Sequence, residues 1–249
     1  FVGGRNAVRE CLRNKRLGFE VVKVADSASG TVIDDIISAA SDRNVPVRTV
    51  SAEELDEQSS PGNHQGVLAV LSDIHPHTLD DLLSRMSESS YTHKRIFVLD
   101  QIQDPVNLGK IARSALYFGY EGIVKTKDQT APLNSTVIET SAGAAARLPI
   151  AQVTNLRRAL ERLREERFWM TGLSLEADSP VDSVPTDRNL AVLLGHEGTG
   201  LRRLTREECD YLVNIPGRGD FDSLNVATAG SIAAYALDSD PSAEAENGS

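Results

Sequence analysis

The stretch from Ile215 to Tyr235, IPGRGDFDSLNVATAGSIAAY, constrains the fold more than any other part of the chain. Val213 and Ile215 end a buried strand, and Pro216, which lacks the N–H a sheet ladder needs, stops it. Gly217 and Gly219 permit backbone turns closed to residues with a Cβ. Ser223, Leu224 and Asn225 then open a helix whose interior, through Ala236, is Ala, Gly and Ser. A helix with so little bulk suits a place where another stretch of backbone passes close. A loop rich in uncommitted main-chain N–H and C=O groups can hold a ligand without large side chains. A tight strand–helix connection in the core would use the same residues, so this stretch alone leaves both readings open.

The rest of the chain alternates strands and helices. A helix is predicted over residues 3–17, with Val8, Cys11 and Leu12 on its apolar face. Arg5, Arg9, Arg13 and Arg16 fall at spacings of four, four and three, a basic stripe that is either a solvated face or a contact for phosphates. Strands follow at 19–24, 45–50 and 66–71, with an amphipathic helix at 31–42. A short helix begins at Ser51, with Glu54 placed to complete a capping box. This is a compact α/β domain over 1–72, followed by a polar loop-like connection over 73–91 with a short helix near Leu79–Met86. The His75-Pro76-His77 run has no third ligand spaced nearby and reads as a hinge. From Ile96 a second unit begins. Its strands are short apolar runs at 96–99, 122–125, 168–172, 190–194 and 213–215, typical of a buried parallel sheet covered by helices on both faces. Asn107 is expected to cap a helix that buries Ile111, Ala115 and Leu116. Further helices are expected at Ala144–Ala146 and over 156–167. The acidic tail, 238–249, has no apolar period and is expected to be disordered.

Net charge is −10, which at first disfavours a nucleic-acid partner. The charge is unevenly placed, however. Residues 1–72 carry net −2 and residues 92–237 net −1, whereas the connection carries −3 and the tail −4. The two folded parts are near neutral and can present a basic face. No run approaches the length of a membrane span, and no secretory or transit pattern is read in a chain that starts abruptly at Phe1. Cys11 and Cys209 are far apart with no metal spacing, which suits a reducing cytoplasm rather than a disulfide framework.

Three polar loops stand at the carboxyl ends of expected strands, where open α/β sheets bind ligands: DQIQDPVNLGKIAR from Asp100, GHEGTGL from Gly195, and the stretch after Ile215. None is a G-x-G-x-x-G or P-loop signature, and the chain has no H-E-x-x-H, no G-x-S-x-G and no zinc spacing. Taken together, these loops resemble the SpoU (TrmH-type) branch of the SPOUT methyltransferases. The family motif N-x-G-x-x-x-R is matched by Asn107, Gly109 and Arg113. L-x-G-x-E-G-x-G is matched by Leu193, Gly195, Glu197, Gly198 and Gly200, and I-P-x-x-G-x-x-x-S-L-N-V by Ile215, Pro216, Gly219, Ser223, Leu224, Asn225 and Val226. The TSAGAA run from Thr140, the opening GGRNAV and HQGV at His64–Val67 extend the likeness over residues 1–237. Gly217, where the family often has Met, and Ala227, where it often has Ser, are departures that bear on loop shape and cofactor packing.

The resemblance implies a SPOUT α/β-knot fold. A mostly parallel sheet ends in a C-terminal trefoil knot and is preceded by a small α/β, ribosomal-protein-like RNA-binding domain. It implies transfer of methyl from S-adenosyl-L-methionine to a ribose 2′-oxygen of RNA in the cytoplasm by a homodimer, without metal. Within the family the chain is most similar to members that methylate a guanosine of large-subunit (23S) rRNA. A tRNA ribose methyltransferase and a non-catalytic RNA-binding or ribosome-assembly protein are the alternatives. Carried over residue by residue, main chain at Leu194, Gly195, Ile215 and Leu224 would hold the cofactor. Asn107, Arg113, Glu197, Ser223 and Asn225 would form the polar catalytic site, and Arg5, Arg9, Arg13 and Arg113 would meet RNA. His196 is expected to be a loop filler.

Overall fold

The computed structural model describes residues 1–59, 64–220 and 223–238. By packing, the chain divides into two units, which are not simple consecutive halves. One comprises Phe1–His77 with Asp104–Arg113 and Pro132–Pro149; the other comprises Thr78–Gln103, Ser114–Ala131 and the chain from Ile150 onward.

The first unit runs β1 (Val2–Gly3), α1 (Arg5–Arg13), β2 (Leu17–Ala25), α2 (Thr31–Asp42), β3 (Val47–Val50), α3 (Ala52–Gln58) and β4 (Val67–Ile74). Its sheet has the order β1-β4-β2-β3, with β4 antiparallel to both neighbours and β2 parallel to β3. One face packs on α1 and α2, where Val8, Cys11 and Leu12 meet Ile33, Ile36 and Ala40 over Val22, Val24 and Ala69. On a separate patch, Leu55 of α3 closes on Ala25 and Leu68. The first helix ends sooner than its sequence suggests, and the Arg43 guanidinium satisfies carbonyls at its end and in the turn that follows: Nη1 donates to Leu12 O at 3.1 Å and to Asn14 O at 2.8 Å, and Nη2 to Leu17 O, at the start of β2, at 2.7 Å. Arg16 is therefore not on the helix, and the basic stripe loses its fourth member. The Ser51 hydroxyl does accept from Glu54 N at 3.3 Å, but the Glu54 carboxylate turns to Lys23 Nζ at 2.6 Å rather than back to the cap. The Ser59-Ser60-Pro61-Gly62-Asn63 run, a loop by its turn-forming composition, lies outside the described residues except for Ser59.

The short helix expected near Leu79–Met86 in the connection is α4 (Leu79–Ser87), and it starts with a capping box. The Thr78 hydroxyl accepts from Asp81 N and the Asp81 carboxylate from Thr78 N, each at 3.1 Å. Its Leu82, Leu83 and Met86 belong to the core of the second unit. There follow β5 (Arg95–Leu99), α5 (Pro105–Tyr117), β6 (Gly122–Thr126), α6 (Ser135–Thr140), α7 (Ala144–Arg147), β7 (Ile150–Val153), α8 (Leu156–Glu165), β8 (Phe168–Leu173), β9 (Ser179–Pro180), β10 (Asn189–Leu194), α9 (Arg203–Glu207), β11 (Tyr211–Asn214) and α10 (Val226–Ala236). The seven strands are ordered β7-β6-β5-β10-β8-β11-β9, and every pair is parallel. That explains why β5 after Arg95 and β10 after Asn189 read as unbroken apolar runs, and why β6 is buried along its whole length: both faces are covered. Leu156, Ala159, Leu160 and Leu163 of α8 join α4 over Ile96, Val98, Val124 and Leu193. Elsewhere in this unit Phe97 stacks on Tyr120 at 4.5 Å, and α10 lies against β10. The buried Arg95 guanidinium ties the end of α10 to the start of the sheet, donating to Leu237 O at 3.1 Å and Arg188 O at 2.6 Å.

Two helices placed late in the chain, α6 and α7, group with the first unit. Ile138 and Ala146 enter the core of α1 and α2. Gly143, at φ +88°, has no room for a side chain: a Cβ there would stand 3.0 Å from the Ala7 Cα. The Glu139 carboxylate accepts from Gly3 N at 2.8 Å, and the Asn14 amide donates to Ala146 O at 2.7 Å. The TSAGAA run is thus a docking surface for α1 as well as a family marker. The tail from 239 lies outside the described residues.

Candidate active site

Strand order reverses around β10. The chain builds β5, β6 and β7 outward to one side, then β8 and β11 to the other, with β10 inserted between β5 and β8. A crevice at such a reversal is where open α/β sheets bind ligands. The carboxyl ends of β5, β10 and β11 carry Asp100, Gly195 and Ile215, the starts of the three polar loops.

The loop after β10 folds back on itself. His196 N donates to Gly200 O at 3.0 Å and Gly200 N to His196 O at 2.8 Å. The closure leaves no space at Gly195: a Cβ would lie 2.2 Å from both the Gly200 carbonyl carbon and the Leu201 nitrogen. Gly200 takes the left-handed conformation at φ +67°. His196 is more than filler, because its Nδ1 accepts from Gly198 N at 3.0 Å and holds the turn. Glu197, at the tip, is exposed.

Beneath the loop lies an ion pair that motif reading did not single out. Asp100 is 1% exposed and receives Arg202 Nε at 2.7 Å and Arg202 N at 3.2 Å. Its own N–H donates to Leu194 O at 2.8 Å. Asp100 therefore ties the end of β5 to both ends of the loop after β10, to the near end through its N–H and to the far end through its carboxylate. The available signal was an acid directly following a buried strand, a place where desolvation demands a partner.

The third loop leads into α10. Asn225 is its N-cap: Oδ1 accepts from Ala227 N at 2.9 Å and, more weakly, from Thr228 N at 3.4 Å. The Asn of S-L-N-V thus has a structural duty whatever else it does. Ser223 is exposed, Leu224 is 48% exposed and Ile215 is half-buried. At Gly217 and Gly219 an added Cβ would meet nothing within 4 Å, so the loop faces open space. Of the residues expected to hold the cofactor, Leu194 and Gly195 are buried at the end of β10, and the Leu194 carbonyl is already used by Asp100. Backbone turned around glycines beside open space, with an apolar Ile215 and Leu224, suits a flat base and a thioether chain held by main-chain groups. This donor set fits S-adenosyl-L-methionine without an acidic ribose ligand.

Asn107 does not cap α5. The helix begins at Pro105, and the Asp104 carboxylate accepts from Val106 N at 2.9 Å. Pro at the first helical position and Asp just before it are the stronger start signal. Asn107 sits within the first turn and is 2% exposed, while Arg113 is exposed one turn and a half further on. Leu116 is only half-buried; Leu108, Ile111, Ala112 and Ala115 form the buried side. Gly109 of the same motif is demanded by packing, since a Cβ there would fall 1.9 Å from Thr140 Oγ1 and 2.8 Å from Val137 O. Of the residues expected to meet RNA, Arg5 is engaged by backbone, donating to Gln65 O at 3.0 Å and Ser29 O at 3.2 Å. Arg13 pairs with Glu10 at 3.1 Å, and Arg9 Nε lies 3.8 Å from the same carboxylate. Among the described residues no group of three His, Cys, Asp or Glu side chains could hold a metal ion, and no helix is long and apolar enough to cross a membrane.

An all-parallel α/β sheet with glycine-bearing loops after β10 and β11, at the reversal of its strand order, has the form of a ligand-binding α/β domain. Residues 94–235 match the model of the SpoU rRNA methylase family, and residues 1–76 match that of the RNA 2′-O ribose methyltransferase substrate-binding region. The chain belongs to the SpoU rRNA methylase family and is an RNA 2′-O-ribose methyltransferase. It is 38% identical over 229 residues, 92% of either chain, to the 23S rRNA (guanosine-2′-O-)-methyltransferase RlmB of Xanthomonas campestris pv. campestris. It is 33% identical, over 94% of this chain and 93% of the other, to the putative TrmH family tRNA/rRNA methyltransferase YacO of Bacillus subtilis. Among solved structures, the AdoMet-bound rRNA methyltransferase of Sinorhizobium meliloti matches with a TM-score of 0.76 at 21% identity, covering 95% of this chain and 85% of that one. The SpoU methyltransferase AviRb of Streptomyces viridochromogenes in complex with AdoMet matches at 0.74 and 20% identity, covering 95% and 88%.

Proposed function

We propose that this protein transfers the methyl group of S-adenosyl-L-methionine to the ribose 2′-oxygen of a guanosine in large-subunit rRNA, as a cytoplasmic homodimer. The observation that carries the substrate is similarity over 92% of both chains to a relative named for that reaction, substrate-binding region included. The B. subtilis relative, named for tRNA or rRNA, keeps a tRNA substrate as the second reading.

When bound, S-adenosyl-L-methionine supplies an electrophilic methyl and a neutral thioether leaving group. The O2′–CH3 bond would form as S–CH3 breaks with its electron pair left on sulfur, and the hydroxyl proton would pass to water. Main chain at Leu194, Gly195, Ile215 and Leu224 would hold the cofactor. Arg113 positions the attacking hydroxyl and the adjoining phosphate through its fork of N–H donors; a guanidinium does not deprotonate in proteins and so is no general base. Asn107, Glu197, Ser223 and Asn225 complete the polar set, with Glu197 orienting its partners. Holding the nucleophile in line is the larger part of such catalysis. A threaded C-terminal segment agrees with the close-packed Gly195 loop and with the buried Gly230, Ala233 and Ala234 of α10. The homodimer is supported by an exposed apolar surface in the second unit: Tyr117 (83% exposed) and Tyr235 (72%), with Phe118 6.1 Å from the Tyr235 ring.

In a radiolabel assay, 23S rRNA transcript and tRNA are offered separately. Label in a guanosine 2′-O position of the rRNA is expected, and label in tRNA alone would select the second reading. Arg113→Ala should lower turnover by a factor on the order of 10² to 10³, the loss typical of one charge-positioning group, while calorimetric cofactor binding survives. Full turnover in Arg113→Ala would refute its role.

A further inference from the structure

A cleft of about 560 Å³ opens in the second unit, outside the residues assigned to the reaction. It lies past the carboxyl ends of β6 and β7, between the start of α8 and the short α9. Its floor is Leu156 and Leu160, both buried, and Leu204, 60% exposed, forms a bare apolar wall. Two guanidinium groups stand at its rim with well-exposed side chains: Arg157 at 71% and Arg203 at 77%. We infer that this cleft is a docking site for an unpaired nucleotide of the RNA substrate, flanking the one that is methylated. The inference rests on the function proposed above.

Four features point to a nucleotide in a strand. First, the apolar wall and floor offer area for the face of a base, and an exposed Leu204 is otherwise unexplained. Second, the rim arginines are held but not consumed. Arg157 Nε lies 3.3 Å from Glu161 and 3.4 Å from Glu208, and Arg203 pairs with Glu207 through Nη1. Each guanidinium carries five N–H donors. Exposed pairs of this kind are worth about 0–1 kcal/mol, so exchange for a phosphate costs little. Third, the three arginines and three carboxylates lining the cleft balance to zero. A free anion therefore gains little, whereas a nucleotide adds base contact to its phosphate contact. Fourth, the cleft is continuous with the loop after β10: that loop ends at Leu201, and Arg202, anchored on the buried Asp100, lines the cleft. The edge by β6 is preformed, because Thr126 Oγ1 bonds to Asp128 O and Thr130 Oγ1, each at 2.7 Å.

The test uses the full chain with a 23S rRNA transcript that it methylates. The double variant Arg157→Ala/Arg203→Ala, and separately Leu204→Asp, should each raise KM for the transcript about tenfold, the equivalent of one charge-assisted contact. Turnover at saturation should stay within about twofold, and S-adenosyl-L-methionine should bind as tightly as before by calorimetry. Removing each arginine should make the dependence of log affinity on log salt shallower by about 0.7. A second measurement needs no variant: the transcript should protect amides of residues 154–158 and 202–208 of the wild-type protein from hydrogen exchange. An active wild type with unmoved KM in both variants, or with no protection in these segments, overturns the cleft assignment while leaving the reaction standing. A KM defect seen on ribosomal particles but absent on naked transcript also overturns it, since it would mark a protein partner. A wild type that methylates no RNA indicts the proposed reaction instead.

Discussion

Gly109 carries as much architecture as chemistry. In the motif it stands between Asn107 and Arg113, yet its neighbour is the Thr140 hydroxyl, against which a Cβ would fall at 1.9 Å. Gly109→Ala should therefore destabilise the protein by about 1–3 kcal/mol through overpacking. Thr140→Ala in the same chain should recover only part of this, because Val137 O also crowds the position at 2.8 Å. Urea unfolding checks it, and an unchanged midpoint in Gly109→Ala would disprove the contact. The same double duty holds at Gly195, squeezed by Gly200 and Leu201, and at Asn225, the cap of α10. Motif letters were legible as a set; which letters serve packing was not, because that depends on what crosses them in space.

Among the elements, β6 contains an unexpected residue. Its run GIVKT reads as a buried strand, and so it is, with Lys125 at 0% exposure. The ammonium donates to Thr126 O at 3.2 Å and the Gln152 amide oxygen at 3.3 Å. Burial holds the amine below the ordinary lysine range. The unfolded chain keeps this proton to higher pH than the folded one, so wild-type stability rises with pH up to the unfolded value near 10.4. Lys125→Met should be more stable at neutral pH by about 1–3 kcal/mol, the usual cost of a poorly compensated polar group. The gap to wild type should narrow as pH is raised, and a gap constant from pH 7 to 10 in thermal unfolding would contradict it. The first helix shows the opposite case: its arginine spacing was plain in the sequence, but Arg43, far along the chain, satisfies carbonyls in the turn that follows the helix and Arg5 is spent on backbone carbonyls.

At the scale of the whole molecule, the packing units do not follow chain order. α6 and α7 come late yet group with the first four strands, through Gly143 and the alanines beside it. Most of the acidic excess lies in residues 73–91 and 238–249, and the rest of the chain is near neutral, consistent with an RNA substrate for a chain of net charge −10. The exposed aromatic surface of Tyr117 and Tyr235 belongs to this scale too. On the proposed homodimer, the wild type should sediment as a dimer and the double variant Tyr117→Glu/Tyr235→Glu as a monomer at the same concentration, with circular dichroism unchanged. Equal sedimentation of the two proteins would remove this surface from the interface.

The sequence by itself determined the alternation of strands and helices, the parallel sheet and the three polar loops. Each of these is written in local terms: apolar run length, a proline or glycine at a boundary, a fixed motif spacing. Only the tertiary structure decided that Asp100 locks Arg202, that α4 and the late helices α6 and α7 belong to particular cores, and that a cleft opens beside α9. These depend on which surfaces exclude water together, and a chain read one residue at a time does not contain that distance information.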